Sequence, residues 1–300
     1  MADPIHILIT GGAGQVGRKL LSVAWPEEVV LHAPARAELD LSDISSVHAA
    51  FTATPFAAVI NAGAYTAVDK AETEVAAAFA ANAMGPAILA DVTREAGAPL
   101  IQVSTDYVFD GSKAGIYIET DPVGPLGVYG ASKLAGELAV RAGNPRSVVV
   151  RTAWVLSCHR TNFLKTMLRL AIDRPSLRVV ADQHGCPTSA RDIAAALKTI
   201  TLTMLADMNA PTGVYHFVNA GETTWAGLAT EIFTLSASAG GPSATVEGIP
   251  SSEYPTPARR PTNSRLSTAK LTLDYGIAPR PWQTAVGEIV IELLTERANP

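Results

Sequence analysis

Two side chains, Tyr129 and Lys133, have the types and the spacing needed to carry out proton transfer together. On a helix, positions four residues apart lie on one face, so the ammonium group would lie near the phenol. A nearby ammonium favours the phenolate and lowers the pKa of the phenol, which would let Tyr129 exchange a proton near neutral pH. Taken alone, the same spacing is also common on solvated helix faces.

A hydroxyl partner precedes this pair in the sequence. The run Ser104-Thr105-Asp106-Tyr107 follows a short apolar segment that predicts a buried strand. A hydroxyl at the end of that strand could hydrogen-bond the same substrate oxygen as Tyr129. The hydroxyl, the phenol and the ammonium group together indicate proton transfer at a carbonyl or alcohol oxygen.

A glycine-rich turn near the start of the chain predicts a dinucleotide site. The segment from Gly11 to Gly17, GGAGQVG, directly follows the apolar run 5–10 and opens an amphipathic segment. Glycines let backbone N–H groups approach a pyrophosphate, which then lies at the positive end of a helix. The motif satisfies both GxGxxG and GxxGxxG, so it does not choose between dehydrogenase classes.

The residues after the second predicted strand bear on the choice of cofactor. In NAD-binding folds, an acid about 20 residues after the glycines usually holds the ribose 2′-OH. Here the chain reads HAPAR from His32 to Arg36, with no acid. Arg36 could bind a 2′-phosphate, although a solvated surface arginine is the alternative. We therefore predict NADPH as the preferred cofactor, with NADH as the alternative.

The elements that must position these residues follow from an alternation of short β-branched runs with longer Ala- and Leu-rich segments. This alternation predicts an α/β fold, a doubly wound parallel sheet of Rossmann type with a smaller C-terminal substrate-binding domain. Such sheets bind ligands beyond the carboxyl ends of their strands. The predicted strands are 5–10, 29–33, 57–62, 100–104, 147–152, 177–180 and 214–218, and the predicted helices are 15–23, 47–52, 74–96, 132–142, 191–204 and 284–297.

The alternation of predicted strands and helices becomes less regular after about Trp154, and this change predicts two domains. We assign residues 1–156 and about 184–218 to the dinucleotide-binding domain. Residues from about 157–183 and 219–300 are assigned to the substrate domain. Within the latter, the segment 240–261 is rich in Gly, Pro and Ser, and we expect an extended surface loop or a small irregular lobe there.

Composition excludes several classes of protein. Apolar residues make up 48% of the 300 residues, which predicts a folded chain with a substantial core. A net charge of −5 without a dense cluster of Lys and Arg argues against a nucleic-acid partner. The two cysteines cannot form a disulfide framework. We find no signal sequence and no run approaching the roughly 18 to 20 apolar residues of a membrane span, so we expect a cytoplasmic protein without a membrane partner.

Longer segments of the chain resemble the dTDP-4-dehydrorhamnose reductase family, in the extended branch of the short-chain dehydrogenase/reductases. The resemblance implies hydride transfer from NAD(P)H to C4 of dTDP-4-dehydro-6-deoxy-L-mannose, giving dTDP-L-rhamnose for cell-surface polysaccharides. The segments are NAGAYTAVDKAE (61–72), STDYVFDG (104–111), YGASKLAGE (129–137), RTAWV (151–155), NFLKTM (162–167), DQHGCPT (182–188) and YPTPARRPTNSRL (254–266).

The resemblance also implies a role for each matching residue. Tyr129 would be the general acid that protonates the C4 alkoxide, and Lys133 would support it and hold the nicotinamide ribose. Thr105 would bind the substrate carbonyl, while Asp106 and Trp154 would contact the sugar nucleotide. With the motif residues included, the predicted cofactor-binding residues are Gly11, Gly14, Gln15, Val16, Arg36, Asp40, Leu41, Gly63, Ala64, Tyr65, Val103, Tyr129 and Lys133.

One departure from the family concerns a metal. Some members bind Mg²⁺ across a dimer through glutamates on the first helix and at the start of the helix after the PTxA stretch. The matching residues here are Lys19 and Arg191. Two cations cannot hold a hard divalent ion. We therefore predict no metal and doubt a metal-bridged dimer, which leaves a monomer or a homodimer.

Two alternatives to the reductase share the same motifs. One is another extended-branch epimerase or dehydratase, which would retain tightly bound NAD. The other is a non-catalytic subunit like the regulatory subunit of methionine adenosyltransferase. An intact set of Thr105, Tyr129 and Lys133 favours the reductase. The neighbouring Arg259 and Arg260 could clamp the substrate diphosphate or could be solvated loop residues.

Overall fold

The computed structural model describes residues 3–298, with side chains described up to residue 296. It contains thirteen strands in this part of the chain. They are β1 (Ile5–Thr10), β2 (Val29–His32), β3 (Ala58–Asn61), β4 (Leu100–Thr105), β5 (Ser147–Thr152), β6 (Val155–Leu156), β7 (Ser176–Val180), β8 (His184–Gly185), β9 (Thr188–Ser189), β10 (Gly213–His216), β11 (Thr223–Thr224), β12 (Thr245–Ile249) and β13 (Asn263–Ser264).

Eleven α-helices accompany these strands within residues 3–298. They are α1 (Gln15–Ser22), α2 (Ile44–Ala53), α3 (Val68–Ala71), α4 (Val75–Phe79), α5 (Gly85–Glu95), α6 (Val128–Gly143), α7 (Phe163–Leu170), α8 (Ala190–Ala206), α9 (Trp225–Ser238), α10 (Ala269–Tyr275) and α11 (Trp282–Ala298). A π-helical turn, Ala80–Met84, joins α4 to α5. Short 3₁₀ turns follow β4 and β12.

Six strands form a central parallel sheet in the order β10-β5-β4-β3-β1-β2. Every neighbouring pair in this sheet is parallel. The chain moves outward from β1 to β2 and then returns to pair β3 on the other side of β1, so the strand order reverses at β1. Ligands bind at such a reversal in doubly wound sheets. The predicted Rossmann-type fold is therefore confirmed.

Alternate side chains along β1 enter two different cores, as expected for a sheet covered on both faces. Ile7 and Ile9 are buried in one core together with residues of α1 and α8. Leu8, between them, is buried in a second core with residues of α2, α5 and α6. These helices hold the carboxyl ends of the strands in place, and the candidate site lies at that edge.

The C-terminal part of the chain has a core of its own. Buried residues of α7, α9 and α11 pack together there, with Leu164, Ile232 and Ile289 among them. The expectation of irregular structure throughout 240–261 was wrong, because β12 lies inside that segment and pairs in parallel with β7. Most side chains of β12 are exposed, so the strand lacks the alternation that would have indicated it.

The segment Val75–Glu95 corrects another expectation. An 18-residue window within these 21 residues has a mean hydropathy of 1.5, so the segment is long and apolar enough to cross a membrane by length and composition alone. In the structure, α5 packs between α2 and α6, and Leu89 belongs to the second core. The Asn82 amide of the π-helical turn donates to Ser132 Oγ at 3.0 Å. The helices of this segment are thus a layer of the α/β fold, and core helices share the composition of membrane spans.

Candidate active site

The glycine-rich turn after β1 packs directly against the turn after β3. Gly11 has a φ of +69°, and a Cβ atom there would lie 2.6 Å from the Cα atom of Gly63. The two backbones can approach this closely because Gly11 lacks a side chain, whereas a Cβ atom at Gly63 would come no nearer than 3.2 Å to Thr10 Oγ1. Gly14 caps α1 without a hydrogen bond from a described side chain, which leaves first-turn N–H groups available. This cradle suits the pyrophosphate of a dinucleotide.

Most of the other predicted cofactor residues border the same edge of the sheet. Ala64 and Tyr65 follow Gly63, and the Tyr65 N–H donates to Asn82 Oδ1 at 2.8 Å. Val16 is buried in the first turn of α1. Leu41 packs against α5, in the connection that follows β2. Asn82, whose amide orders the turn after β3, was not among the predicted site residues.

Arg36 and Asp40 lie beyond β2, away from the catalytic set. Arg36 is 84% exposed, and its Nη2 atom lies 4.0 Å from Asp40 Oδ2. Hydrogen bonds from Ser42, and to a lesser degree the charge of Arg36, lower the pKa of Asp40. An exposed guanidinium this loosely paired can turn to another anion at little cost.

Thr105, Asp106 and Tyr129 come together at the carboxyl end of β4. Burial raises the pKa of Tyr129, the Thr105 hydroxyl opposes the increase, and the charge of Asp106 adds to it. The expectation of a lowered pKa for Tyr129 was therefore wrong, because burial dominates. A phenol with a raised pKa keeps its proton at neutral pH and acts as an acid.

The ammonium group of Lys133 is held by the backbone. Its Nζ atom donates to the carbonyl oxygen of Val103 at 2.7 Å, which ties Lys133 to β4. Burial lowers the pKa of Lys133 to about 8, and the negative charge of Glu137 opposes this change. Lys133 therefore lies beside the strand that carries Thr105, one helical turn after Tyr129.

The hydroxyl of Thr105 is already committed within the protein. It donates to Asp106 Oδ1 at 2.9 Å and accepts a hydrogen bond from the N–H of Tyr107 at 3.2 Å. Burial raises the pKa of Asp106 to about 6, against opposing hydrogen bonds from Ser264 and Thr105. A hydroxyl has one hydrogen to donate. Thr105 can donate to a substrate carbonyl once it turns from Asp106, or once Asp106 carries a proton.

A buried ion pair braces the catalytic helix. Glu137 on α6 binds Arg151 on β5 through two parallel hydrogen bonds, Nε to Oε1 at 3.0 Å and Nη2 to Oε2 at 2.7 Å. Ser104 on β4 also donates to Glu137 Oε1, at 2.5 Å. Both charged residues lie in segments that resemble the family, but neither was predicted to have a role. The signal available was the position of Glu137, one turn after Lys133 on the same helix face.

Trp154 lies just after β5 with a φ of +47°. Its indole stacks on that of Trp225, with ring centroids 3.6 Å apart and an angle of 9° between the planes. A Cβ atom at Gly185 would lie 2.4 Å from Trp154 Cε2, so this indole also touches the backbone of β8. Trp225 was not identified from the sequence, because nothing near it in the chain indicates its partner.

Arg260 reaches this region from the C-terminal segment. Its Nη2 atom donates to both carboxylate oxygens of Asp69 at 2.8 Å, and Nη1 donates to Tyr107 Oη at 3.1 Å. The ring of Tyr107 in turn packs edge-on against that of Tyr129, with centroids 5.5 Å apart. Arg259, by contrast, is exposed. The structure thus connects one of the two predicted arginines with the catalytic set.

The residues at the family's metal position do not fit a magnesium ion. Lys19 Nζ donates to Glu292 Oε1 at 2.9 Å, and Arg191 pairs with Glu288 at 3.4 Å. Ligand atoms of Cys158, Glu292 and Glu296 do lie within 4.8 Å of one another. The ammonium of Lys19 already pairs with Glu292 of that cluster, however, and Mg²⁺ requires a set of oxygen ligands that two cations cannot supply. The absence of a metal stays a prediction.

Comparison with known proteins identifies relatives over almost the whole chain. Residues 5–295 match the family described as "RmlD substrate binding domain". A dTDP-4-dehydrorhamnose reductase from Sinorhizobium fredii is 43% identical over 293 residues, which cover 97% of this chain and 99% of the relative.

Two solved structures are similar throughout. A dTDP-4-dehydrorhamnose reductase from Clostridium acetobutylicum is 36% identical, with a TM-score of 0.90 and coverage of 97% of this chain and 100% of the other. The same enzyme from Bacillus anthracis, solved in complex with NADP, is 33% identical, with a TM-score of 0.89 and coverage of 96% and 99%.

Proposed function

The chain belongs to the RmlD family of dTDP-4-dehydrorhamnose reductases, and we propose that it reduces dTDP-4-dehydro-6-deoxy-L-mannose at C4 to give dTDP-L-rhamnose. One observation in particular supports this mechanism. The protonated phenol of Tyr129 lies next to Thr105 at the carboxyl end of β4, on the same edge of the sheet as the glycine-rich turn after β1. Relatives with the reductase name at this identity favour reduction over an epimerase, a dehydratase or a regulatory subunit.

Three residues of the chain have separate roles in the proposed reaction. A bound nicotinamide supplies the hydride that adds to C4. Tyr129 donates its proton to the oxygen as negative charge develops there, and Thr105 donates a hydrogen bond to the same oxygen. Lys133 supports the phenolate that remains, because its ammonium lies on the same helix face one turn away. The raised pKa keeps the phenol of Tyr129 protonated until negative charge develops on the substrate oxygen.

Binding of the sugar nucleotide is assigned to the surrounding side chains. Asp106 is buried next to Thr105 and would accept a hydrogen bond from a sugar hydroxyl, while Trp154 offers an apolar surface. Arg260 is the candidate for the diphosphate, which would replace Asp69 as its anionic partner. We assign residues 1–156 and about 184–218 to the cofactor domain, and the remainder to the substrate domain.

NADPH is the proposed preferred cofactor, with NADH as the alternative. Arg36 supports this preference, because its exposed guanidinium can bind a 2′-phosphate. The related enzyme from Bacillus anthracis was solved with NADP. We further propose that the protein works in the cytoplasm, as a monomer or as a homodimer that does not depend on a bridging metal.

Replacing Arg36 with alanine tests the cofactor preference. We expect the Kd for NADPH to increase about five- to tenfold, since one exposed charge-assisted contact is lost, and the Kd for NADH to stay within about twofold. Titration of the cofactor by fluorescence measures both constants. Equal increases in Kd for the two cofactors would contradict a role of Arg36 in the preference for NADPH.

Gly185→Ala tests whether the position of Trp154 matters for substrate binding. The added methyl group would overlap the indole, because a Cβ atom there lies 2.4 Å from Cε2. We expect the KM for the sugar nucleotide to rise about tenfold while the Kd for NADPH is unchanged. Gly287→Ala is the matched control, since a Cβ there would make only an ordinary contact of 3.8 Å. Equal KM values for the two variants would contradict the role of Trp154.

The proposed function itself is tested by following oxidation of NADPH and NADH by absorbance. The keto-sugar nucleotide is generated from dTDP-glucose by the dehydratase and epimerase that precede this step. Substrate-dependent oxidation with formation of dTDP-rhamnose is the expected result. Cofactor binding without oxidation would overturn the proposal in favour of a different keto-sugar or a non-catalytic binding role.

A further inference from the structure

The side chain of Gln15 links the start of α1 to a distant part of the chain. Gln15 is the first residue of α1, next to the glycine turn. Its Oε1 atom accepts hydrogen bonds from Ser157 Oγ at 2.8 Å and from Asn162 Nδ2 at 2.9 Å. Both donors lie in the segment assigned to the substrate domain. A residue of the proposed cofactor cradle is therefore held by the substrate domain.

The orientation of the Asn162 amide is determined by its other partners. Asn162 caps α7, and its Oδ1 atom accepts a hydrogen bond from the N–H of Lys165 at 3.1 Å. Its Nδ2 atom donates to the carbonyl oxygen of Ser157 at 2.7 Å. Reversing the amide would place an acceptor against that carbonyl and a donor against an N–H. The group that faces Gln15 is therefore the NH₂ group.

This orientation determines that of Gln15 in turn. A donor from Asn162 requires an acceptor on Gln15, so the carbonyl oxygen faces the substrate domain. The NH₂ group of Gln15 must then be directed to the other side. Among residues 3–296, no group accepts a hydrogen bond from it, and the side chain is only half-buried. Two N–H donors are thus presented beside the N-terminus of α1, where an anion is favoured.

We propose that Asn162 is a positioning residue for cofactor binding, which holds the Gln15 amide with its NH₂ group towards the cofactor diphosphate. This inference rests on the proposed nicotinamide cofactor and adds a contribution from the substrate domain to its affinity. Without Asn162, the Gln15 amide can reverse and present its carbonyl oxygen, an acceptor that an anion repels. Ser157 does not prevent this, because a hydroxyl group can donate or accept.

A double-mutant cycle on NADPH affinity tests the inference. Gln15→Ala is expected to raise the Kd about tenfold by removing the amide. Asn162→Ser keeps an oxygen that can cap α7 but removes the NH₂ group, and we expect a Kd about fivefold higher. In the Gln15→Ala background, the same Asn162→Ser change should alter the Kd by less than about twofold, because nothing remains to be oriented.

The control variant is Thr224→Ala, which removes the cap of another helix in the substrate domain, α9. It should leave the Kd for NADPH unchanged, and thermal unfolding of every variant reports whether it is folded. Equal effects of Asn162→Ser with and without Gln15 would overturn the inference alone, as would an unchanged Kd in Asn162→Ser. If the unsubstituted protein did not bind NADPH, both the proposed cofactor and this inference would fail.

Discussion

Tyr129→Phe is expected to lower kcat about 10³-fold while the Kd for NADPH stays within a few-fold. The variant loses only the phenol hydroxyl, which is the proton donor, and general acid catalysis commonly accounts for 10²- to 10⁴-fold of a rate. Burial raises the pKa of Tyr129, so the native residue carries this proton throughout the neutral range. The phenylalanine ring keeps the edge-on contact with Tyr107. The loss should therefore fall on the chemical step and not on binding or folding.

Steady-state rates with saturating keto-sugar nucleotide and fluorescence titration of NADPH measure the two quantities separately. Tyr107→Phe serves as the control, because it removes a neighbouring phenol that only accepts a hydrogen bond from Arg260. We expect that variant to lose less than about tenfold in kcat. A Tyr129→Phe variant with the native kcat would exclude Tyr129 as the proton donor.

The parts of the fold that were predictable from the sequence are those with local signals. β1 and β5 have the predicted bounds, because apolar runs between turn residues indicate buried strands. The glycine turn was also predictable, since its spacing reflects a backbone requirement within seven residues. Helices α7 and α9 were missed because they belong to the C-terminal core, where the alternation of strands and helices is less regular.

The contacts that build the site are mostly long-range, and a single sequence does not reveal them. Arg260 and Asp69 are 191 residues apart, and Gln15 and Asn162 are 147 apart. Each residue on its own resembles an ordinary polar surface residue. The pairing depends on how the C-terminal segments return to the central sheet, which local patterns do not encode.

The pKa of Tyr129 also depends on long-range contacts that the local sequence does not reveal. The spacing to Lys133 correctly placed the two residues on one helix face, but it could not predict what else surrounds the phenol. The structure buries Tyr129 and directs the Lys133 ammonium to the carbonyl oxygen of Val103. Desolvation raises the pKa of Tyr129, and the charge of Asp106 adds to the increase. The sign of such a shift depends on burial, which requires the tertiary structure.

Glu137→Leu is expected to reduce the free energy of unfolding by about 3–5 kcal/mol. The change leaves the Arg151 guanidinium buried without its anion, and an uncompensated buried charge is among the most destabilising changes in a protein. Arg151 and Glu137 are 4% and 2% exposed, so water cannot replace the lost partner. Ser104 also loses its acceptor. Because this pair joins α6 to β4 and β5, kcat should decrease along with stability.

Urea denaturation followed by circular dichroism measures the change, and two further variants show its cause. Asp91→Ala breaks the exposed pair between Asp91 and Arg94 on α5, which should cost less than about 1 kcal/mol. The double variant Glu137→Leu/Arg151→Met removes both charges and should be more stable than Glu137→Leu alone. A Glu137→Leu variant as stable as Asp91→Ala would contradict the prediction. Recovery of stability without recovery of kcat in the double variant would show that the ion pair also positions the catalytic helix.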